Sequence, residues 1–122
     1  MRTALGSFLK QLRIDNDEIL KNMADKLGVR SAFLSAVENG KKKMPESWYG
    51  KLSDLYELSE EQMENLKQAN MESQDSLELN IANSSDQNRR LAISFARQFD
   101  SLDDETTNKI MRLLNKKKSK EG

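Results

Sequence analysis

Between Gly28 and Pro45 the chain reads GVRSAFLSAVENGKKKMP, and its side chains are best equipped there to hold something. Arg30 is a long donor just ahead of a short helix-forming run, and Lys41, Lys42 and Lys43 follow that run in a row. Such cations support binding chemistry: charge-assisted hydrogen bonds to phosphate, or to the acceptor edge of a guanine. Covalent and metal chemistry has far less to work with. The 122 residues include no cysteine and no histidine. That removes disulfides, thiolate and imidazole zinc ligands, and every Ser–His or Cys–His nucleophile pair. Carboxylates are left as metal ligands, but no EF-hand spacing occurs. The expectation is a non-enzymatic protein with no cofactor and no metal.

Helices must position these residues. One proline and five glycines interrupt a chain rich in Leu, Lys, Glu, Ala and Met. Leu5, Phe8, Leu9 and Leu12 predict a first helix from about Arg2 to Ile14, ended by the polar run Asp15-Asn16-Asp17, which also offers a cap to the next. A second helix, about Glu18 to Leu27, sets Ile19, Met23 and Leu27 on one face, and Gly28 stands where a helix end wants a left-handed residue. A third, about Ser31 to Asn39, turns Leu34 and Val37 inward and ends at Gly40. Pro45 starts a fourth, with Trp48, Leu52, Leu55 and Tyr56 apolar, and Ser59 with Gln62 has the capping-box form that opens a fifth.

Leu20 to Asn39 form a twenty-residue unit of two helices about a tight turn. The helices cross closely, so the facing residue must be small, as Ala24 is, and the corner must tolerate positive φ, as Gly28 does. Met23, Leu27, Val29, Leu34 and Val37 fall where the packing of such a corner needs apolar groups. Together these spacings are fairly specific for a helix-turn-helix.

The stretch KNMADKLGVRSAFLSAVENGKKKMP resembles the Cro/C1-type helix-turn-helix of the XRE family of regulators, whose pattern runs LAxxLGVxxxxISxxExG. Met23 replaces the first Leu and Leu34 the Ile, while Ser35 and Glu38 are in place. The resemblance covers roughly residues 5–58. It implies an all-α, lambda-repressor-like five-helix domain that binds double-stranded DNA as a homodimer, each third helix entering a major groove. It implies a structural ion pair between Arg13 and Glu38, and a phosphate grip from Asn39, Lys41, Lys42 and Lys43. It sets the groove-facing positions at Arg30, Ser31, Ala32, Phe33, Ser35 and Ala36. Two departures stand out: Leu20 replaces a phosphate-holding Gln, and the main base-reading positions are the small Ser31, Ala32 and Ala36. Selectivity should then lean on Arg30, on thymine-methyl contacts from the alanines and Phe33, and on DNA shape.

Charge is unevenly spread under a net of zero. Residues 1–58 carry a net +2, residues 59–87 a net −6 and residues 88–122 a net +4, so attraction to phosphates must be local. The expected organisation is a DNA-binding domain over 1–70, a linker or short strand over 71–84, C-terminal helices over 85–116 for dimerisation or a partner protein, and a disordered tail over 117–122. The strand rests on the alternation of Leu77, Leu79 and Ile81; Ser84 and Gln87 look like a capping pair for a sixth helix carrying Leu91, Phe95 and Phe99. A seventh helix, from about Asp103, carries Ile110, Met111 and Leu114. No apolar run is long enough for a membrane span and no signal-peptide core is present, so the chain is expected in the cytoplasm. The leading expectation is a transcription regulator, a repressor acting as a dimer on an operator. The alternative is an antitoxin-like interaction protein whose C-terminal half binds a partner protein.

Overall fold

The computed structural model describes residues 3–121, with side chains through residue 116, and its regular structure is all α. The chain divides into two units, residues 1–77 and 78–122. The first holds α1 (Ala4–Asp15), α2 (Leu20–Leu27), α3 (Ser31–Glu38), α4 (Trp48–Tyr56) and α5 (Glu60–Glu72). The second holds α6 (Asp86–Gln98), a single 3-10 turn (Phe99–Ser101) and α7 (Asp104–Glu121).

One core serves the five helices of the first unit. Leu5, Leu9 and Leu12 from α1 meet Met23 and Leu27 from α2, Leu34 and Val37 from α3, Trp48 and Leu52 from α4, and Leu66 from α5. Each fully buried side chain of this size contributes about 1.5–3 kcal/mol. Phe8, expected on the inner stripe, is only partly buried.

Helix ends are fixed by short-range hydrogen bonds. Asn16 closes α1, its amide nitrogen donating to the Leu12 carbonyl at 2.8 Å, and Asp17 turns the chain with a φ of 54°. The polar run thus ends α1 but does not cap α2. That helix starts at Leu20 with Ile19 as its N-cap, and Asn22 Oδ1 accepts from the Ile19 backbone at 2.8 Å. The extended backbone at Ile19 swings its side chain outward, so it is 66% exposed rather than part of the inner face. Gly28 and Gly40, with φ of 74° and 79°, end α2 and α3 in the same way. The residue after each glycine donates back to Ala24 or Ala36, and the glycine itself donates to Asp25 or Val37, the pattern of a Schellman cap.

Pro45 does not start α4. Glu46 and Ser47 form a turn first, and the Pro45 carbonyl accepts from Trp48 at 3.0 Å. Leu55, seven residues on from Trp48 and so on the same stripe, is nevertheless 38% exposed in the last turn of α4. Ser59 and Gln62 make the reciprocal capping bonds that open α5, at 3.1 and 2.9 Å.

Gly50 sits on the exposed side of α4, and a β-carbon there would meet nothing within 4 Å. Replacing it with alanine should raise the unfolding free energy by about 0.5–1 kcal/mol, because glycine loses more backbone entropy in a helix. Urea titration of the Gly50→Ala chain checks this.

No strand forms among the described residues, so the Leu77/Leu79/Ile81 alternation belongs to irregular backbone; a short strand needs a neighbour to pair with, and none lies there. The expected Ser84–Gln87 cap is displaced by one residue. Ser84 lies in a turn closed by its N–H to Ile81, and Ser85 Oγ accepts from Asn88 at 3.1 Å. Asp103 caps α7, accepting from the Thr106 backbone at 2.7 Å, and hydrogen bonding from the Thr106 hydroxyl and backbone together holds its carboxyl below the usual range. The course of α7 runs across residues 117–121, where the sequence predicts a disordered tail; residue 122 lies outside the described residues. No described helix is long and apolar enough to cross a membrane.

Candidate functional site

Two features anchor α3 so that one side of it faces outward. Leu34 and Val37 enter the core at 0% and 1% exposure, and Glu38 turns inward beside them. There its carboxylate meets the Arg13 guanidinium through both oxygens: Oε2 accepts from Nη1, and Oε1 accepts from Nη2 at 3.1 Å. Both residues are buried, at 7% and 9% exposure, and Arg13 Nη1 also points at Met23 Sδ, 3.4 Å away. A bidentate pair of planar groups fixes angle as well as distance, so it sets how α3 lies against α1.

A second tie acts at the same end of α3. Thr3 Oγ1 accepts from Gly6 at 3.0 Å, capping α1, and donates to the Glu38 carbonyl at 2.7 Å. Ser73 Oγ accepts from the Leu5 backbone at 3.0 Å and donates to the Ala69 carbonyl at 2.8 Å. The start of α1 is thus joined to the ends of both α3 and α5. A β-carbon on Gly40 would meet Thr3 Cγ2 at 3.2 Å, so this crossing as well as its positive φ reserves the position for glycine. The sequence reading missed Thr3 and Ser73; a helix start placed at Arg2, which lies outside the described residues, hides the cap that Thr3 offers ahead of the first apolar residue.

What α3 shows to solvent is small. Ala32 is exposed, and Ser31, Ser35 and Ala36 are half-buried along the same side, with exposed Asn39 at its end. Asn39 Nδ2 lies 3.4 Å from Ser35 Oγ, a long contact that leaves the amide accessible. Arg30 is the N-cap residue, exposed, with extended backbone and no capping bond from its side chain. Lys41, Lys42 and Lys43 are all exposed at the opposite end. Eight helical residues separate the two cationic ends, a span of about 12 Å. Neither Arg30 nor these lysines forms an ion pair among the described residues, whereas Lys21 and Lys26 pair with Asp25 and Glu18.

Phe33 departs from its expected place. Its ring stands edge-on to Trp48, centroids 5.9 Å apart and planes at 77°, and it is partly buried against the core. That packing removes it from the outer row of α3; it lines the shallow depression shared by Asp25, Gly28, Val29, Arg30 and Ala32.

A carboxylate the sequence reading passed over ties α2 to α4. Glu18, its side chain 8% exposed, accepts from Tyr56 Oη at 2.6 Å and from Lys26 Nζ, which lies 5.3 Å from the Tyr56 ring centroid. Burial pushes its carboxyl up, but the hydrogen bonds from Lys26 and Tyr56 and the Lys26 charge outweigh that and hold it below its ordinary 4.5. Burial and the Glu18 carboxylate push the Tyr56 phenol above its usual range. A depressed carboxyl stabilises the fold fully above the unfolded value and ceases to do so as pH falls through the folded value. Glu18→Gln should therefore cost on the order of 1–2 kcal/mol near pH 7. Urea titrations in acid should show the two chains converging as the pH drops below about 4.5.

Among the described residues no three acidic side chains gather closely enough to hold a metal ion. Compared with protein-family models, curated proteins and solved structures, the chain matches none.

Proposed function

We propose that this chain is a cytoplasmic, sequence-specific reader of double-stranded DNA, a transcription regulator of the XRE type that represses as a dimer by occupying an operator. It needs no cofactor and performs no catalysis. One observation carries the reading: an outward row of small residues on α3 lies between cations at both ends that form no ion pair among the described residues. A row of that kind suits a major groove about 12 Å wide, because short side chains let the helix approach the base edges while the end cations reach the two phosphate walls. Arg30 is the long donor available for a guanine, and Ala32 and Ala36 offer methyl contacts to thymine.

Anisotropy titration of DNA from the gene's own promoter, against random duplex and across a salt series, tests the reading. Promoter DNA should be preferred, affinity should fall steeply with salt, and Arg30→Ala should lose about 10- to 100-fold. A second reading, an antitoxin-like interaction protein, draws on the apolar side chains left uncovered in the second unit. Equal affinity for promoter and random DNA, beside tight binding of a neighbouring gene's product, would favour it and overturn the repressor.

A further inference from the structure

A cavity of about 260 Å³ opens beside the basic loop that follows α3, wholly within the first unit. Its apolar lining is Leu5 from α1, Val37 from α3 and Met44 from the loop, all buried. The rest of the lining carries charge of both signs. Lys41, Lys42 and Lys43 bring three cations, and Asp75 brings one carboxylate from the residues after α5. Yet Asp75 pairs with none of them: among the described residues no lysine nitrogen comes within 4.0 Å of its oxygens. Opposite charges that share a cavity and stay apart leave room for a ligand between them. Asn70 supplies a buried acceptor. It is 6% exposed, its Nδ2 donates to Tyr49 Oη at 2.7 Å, and its Oδ1 accepts no hydrogen bond among the described residues. No described side-chain oxygen or nitrogen is both shut from solvent and without a partner, so Oδ1 keeps an opening, and the cavity is what Asn70 lines.

We propose that this cavity binds a free α-amino acid with an apolar side chain. The lysines hold its carboxylate, Asp75 and Asn70 Oδ1 take its ammonium, and its side chain lies on Leu5, Val37 and Met44. Each part of the ligand answers one part of the lining. A simple anion would face Asp75 and leave the Asn70 oxygen without a donor, and a simple amine would meet three cations. Charge-assisted hydrogen bonds at both ends fix the orientation as well as the affinity. The volume lies just below the about 300–1,000 Å³ of sites for drug-sized ligands, which suits a molecule as small as an amino acid. The lysines are also the residues proposed to grip the DNA backbone. A carboxylate that draws them into the cavity competes with phosphate, so the amino acid should release the operator.

That release rests on the proposed function; the site does not, so the first titrations contain no DNA. Calorimetry of the full chain with valine, leucine and methionine should show one-site binding of at least one of them. The analogues of that amino acid lacking either the amine or the carboxylate should bind about 10- to 100-fold more weakly, the loss of a hydrogen-bonded charge. Asp75→Asn should weaken the amino acid about tenfold, while its promoter affinity and its melt, followed by fluorescence of Trp48, the sole tryptophan, stay as in the parent. In the parent, saturating amino acid should weaken promoter binding about tenfold. Binding of none of the three, an analogue that binds as tightly as its amino acid, or an Asp75→Asn chain with undiminished affinity would each overturn the site. Promoter affinity untouched by the bound amino acid would overturn the competition. A chain that binds the amino acid but prefers no promoter would uphold the site and sink the repressor.

Discussion

Glu38→Ala should destabilise the first unit by about 3–5 kcal/mol, the cost of leaving a buried charge without its partner. Arg13 is 7% exposed, and once the carboxylate is gone its guanidinium keeps one side-chain hydrogen-bond contact among the described residues, Met23 Sδ, with the Glu18 carboxylate acting on it only as a nearby charge. Small domains hold about 5–15 kcal/mol in all, and each kcal/mol moves the melting midpoint of a domain this size by about 4–8 °C. A fall on the order of 20 °C in the Trp48 fluorescence melt is the expected reading. The reverse asymmetry is the sharper check. Arg13→Met combined with Glu38→Leu removes both charges together, so it should lie far closer to the parent than either single change. A double variant as unstable as Glu38→Ala would mean that the pair contributes more than mutual compensation. The same double variant separates stability from orientation, because apolar side chains fill the space without fixing the angle of α3.

How much of this was legible in the residues depended on how local each cause is. Gly28 and Gly40 could be read because a left-handed cap is decided within one turn, and Ser59 with Gln62 because a capping box spans four residues. Arg13 with Glu38, which the family resemblance implied, is found as a buried bidentate pair. Ile19 was misplaced because helical periodicity assumes that the helix has already begun, and here it begins one residue later. Thr3 and Ser73 act on partners 35 and 68 residues away, and no window along the chain contains both ends of such a bond. Phe33 shows the same limit from the other direction. Its position on the helix allows an outward aspect, and only the proximity of Trp48 draws the ring aside. The alternation near Leu77 had the period of a strand, but a strand is made by its partner, and the described residues supply none.

Replacing Lys41, Lys42 and Lys43 together with glutamine should weaken promoter binding by about two orders of magnitude near physiological salt and leave the fold intact. The loop carries no structural duty for those side chains: all three are exposed, and none pairs with a carboxylate among the described residues. The turn itself is held by backbone bonds from Lys41 and Lys42 to the Ala36 carbonyl, at 2.9 and 3.3 Å, which glutamine retains. If each lysine neutralises one phosphate, counterion release makes the logarithmic salt slope shallower by about 2.7, roughly 0.9 for each contact. The slope is the decisive quantity, because a general loss of folding would lower affinity without changing it. Random duplex should be affected as strongly as promoter DNA, since phosphates carry no sequence. Arg30→Ala should instead act more on promoter than on random DNA. If the lysine variant binds with the parent's slope, the loop lies off the DNA and the contact surface must be sought away from the C-terminal end of α3.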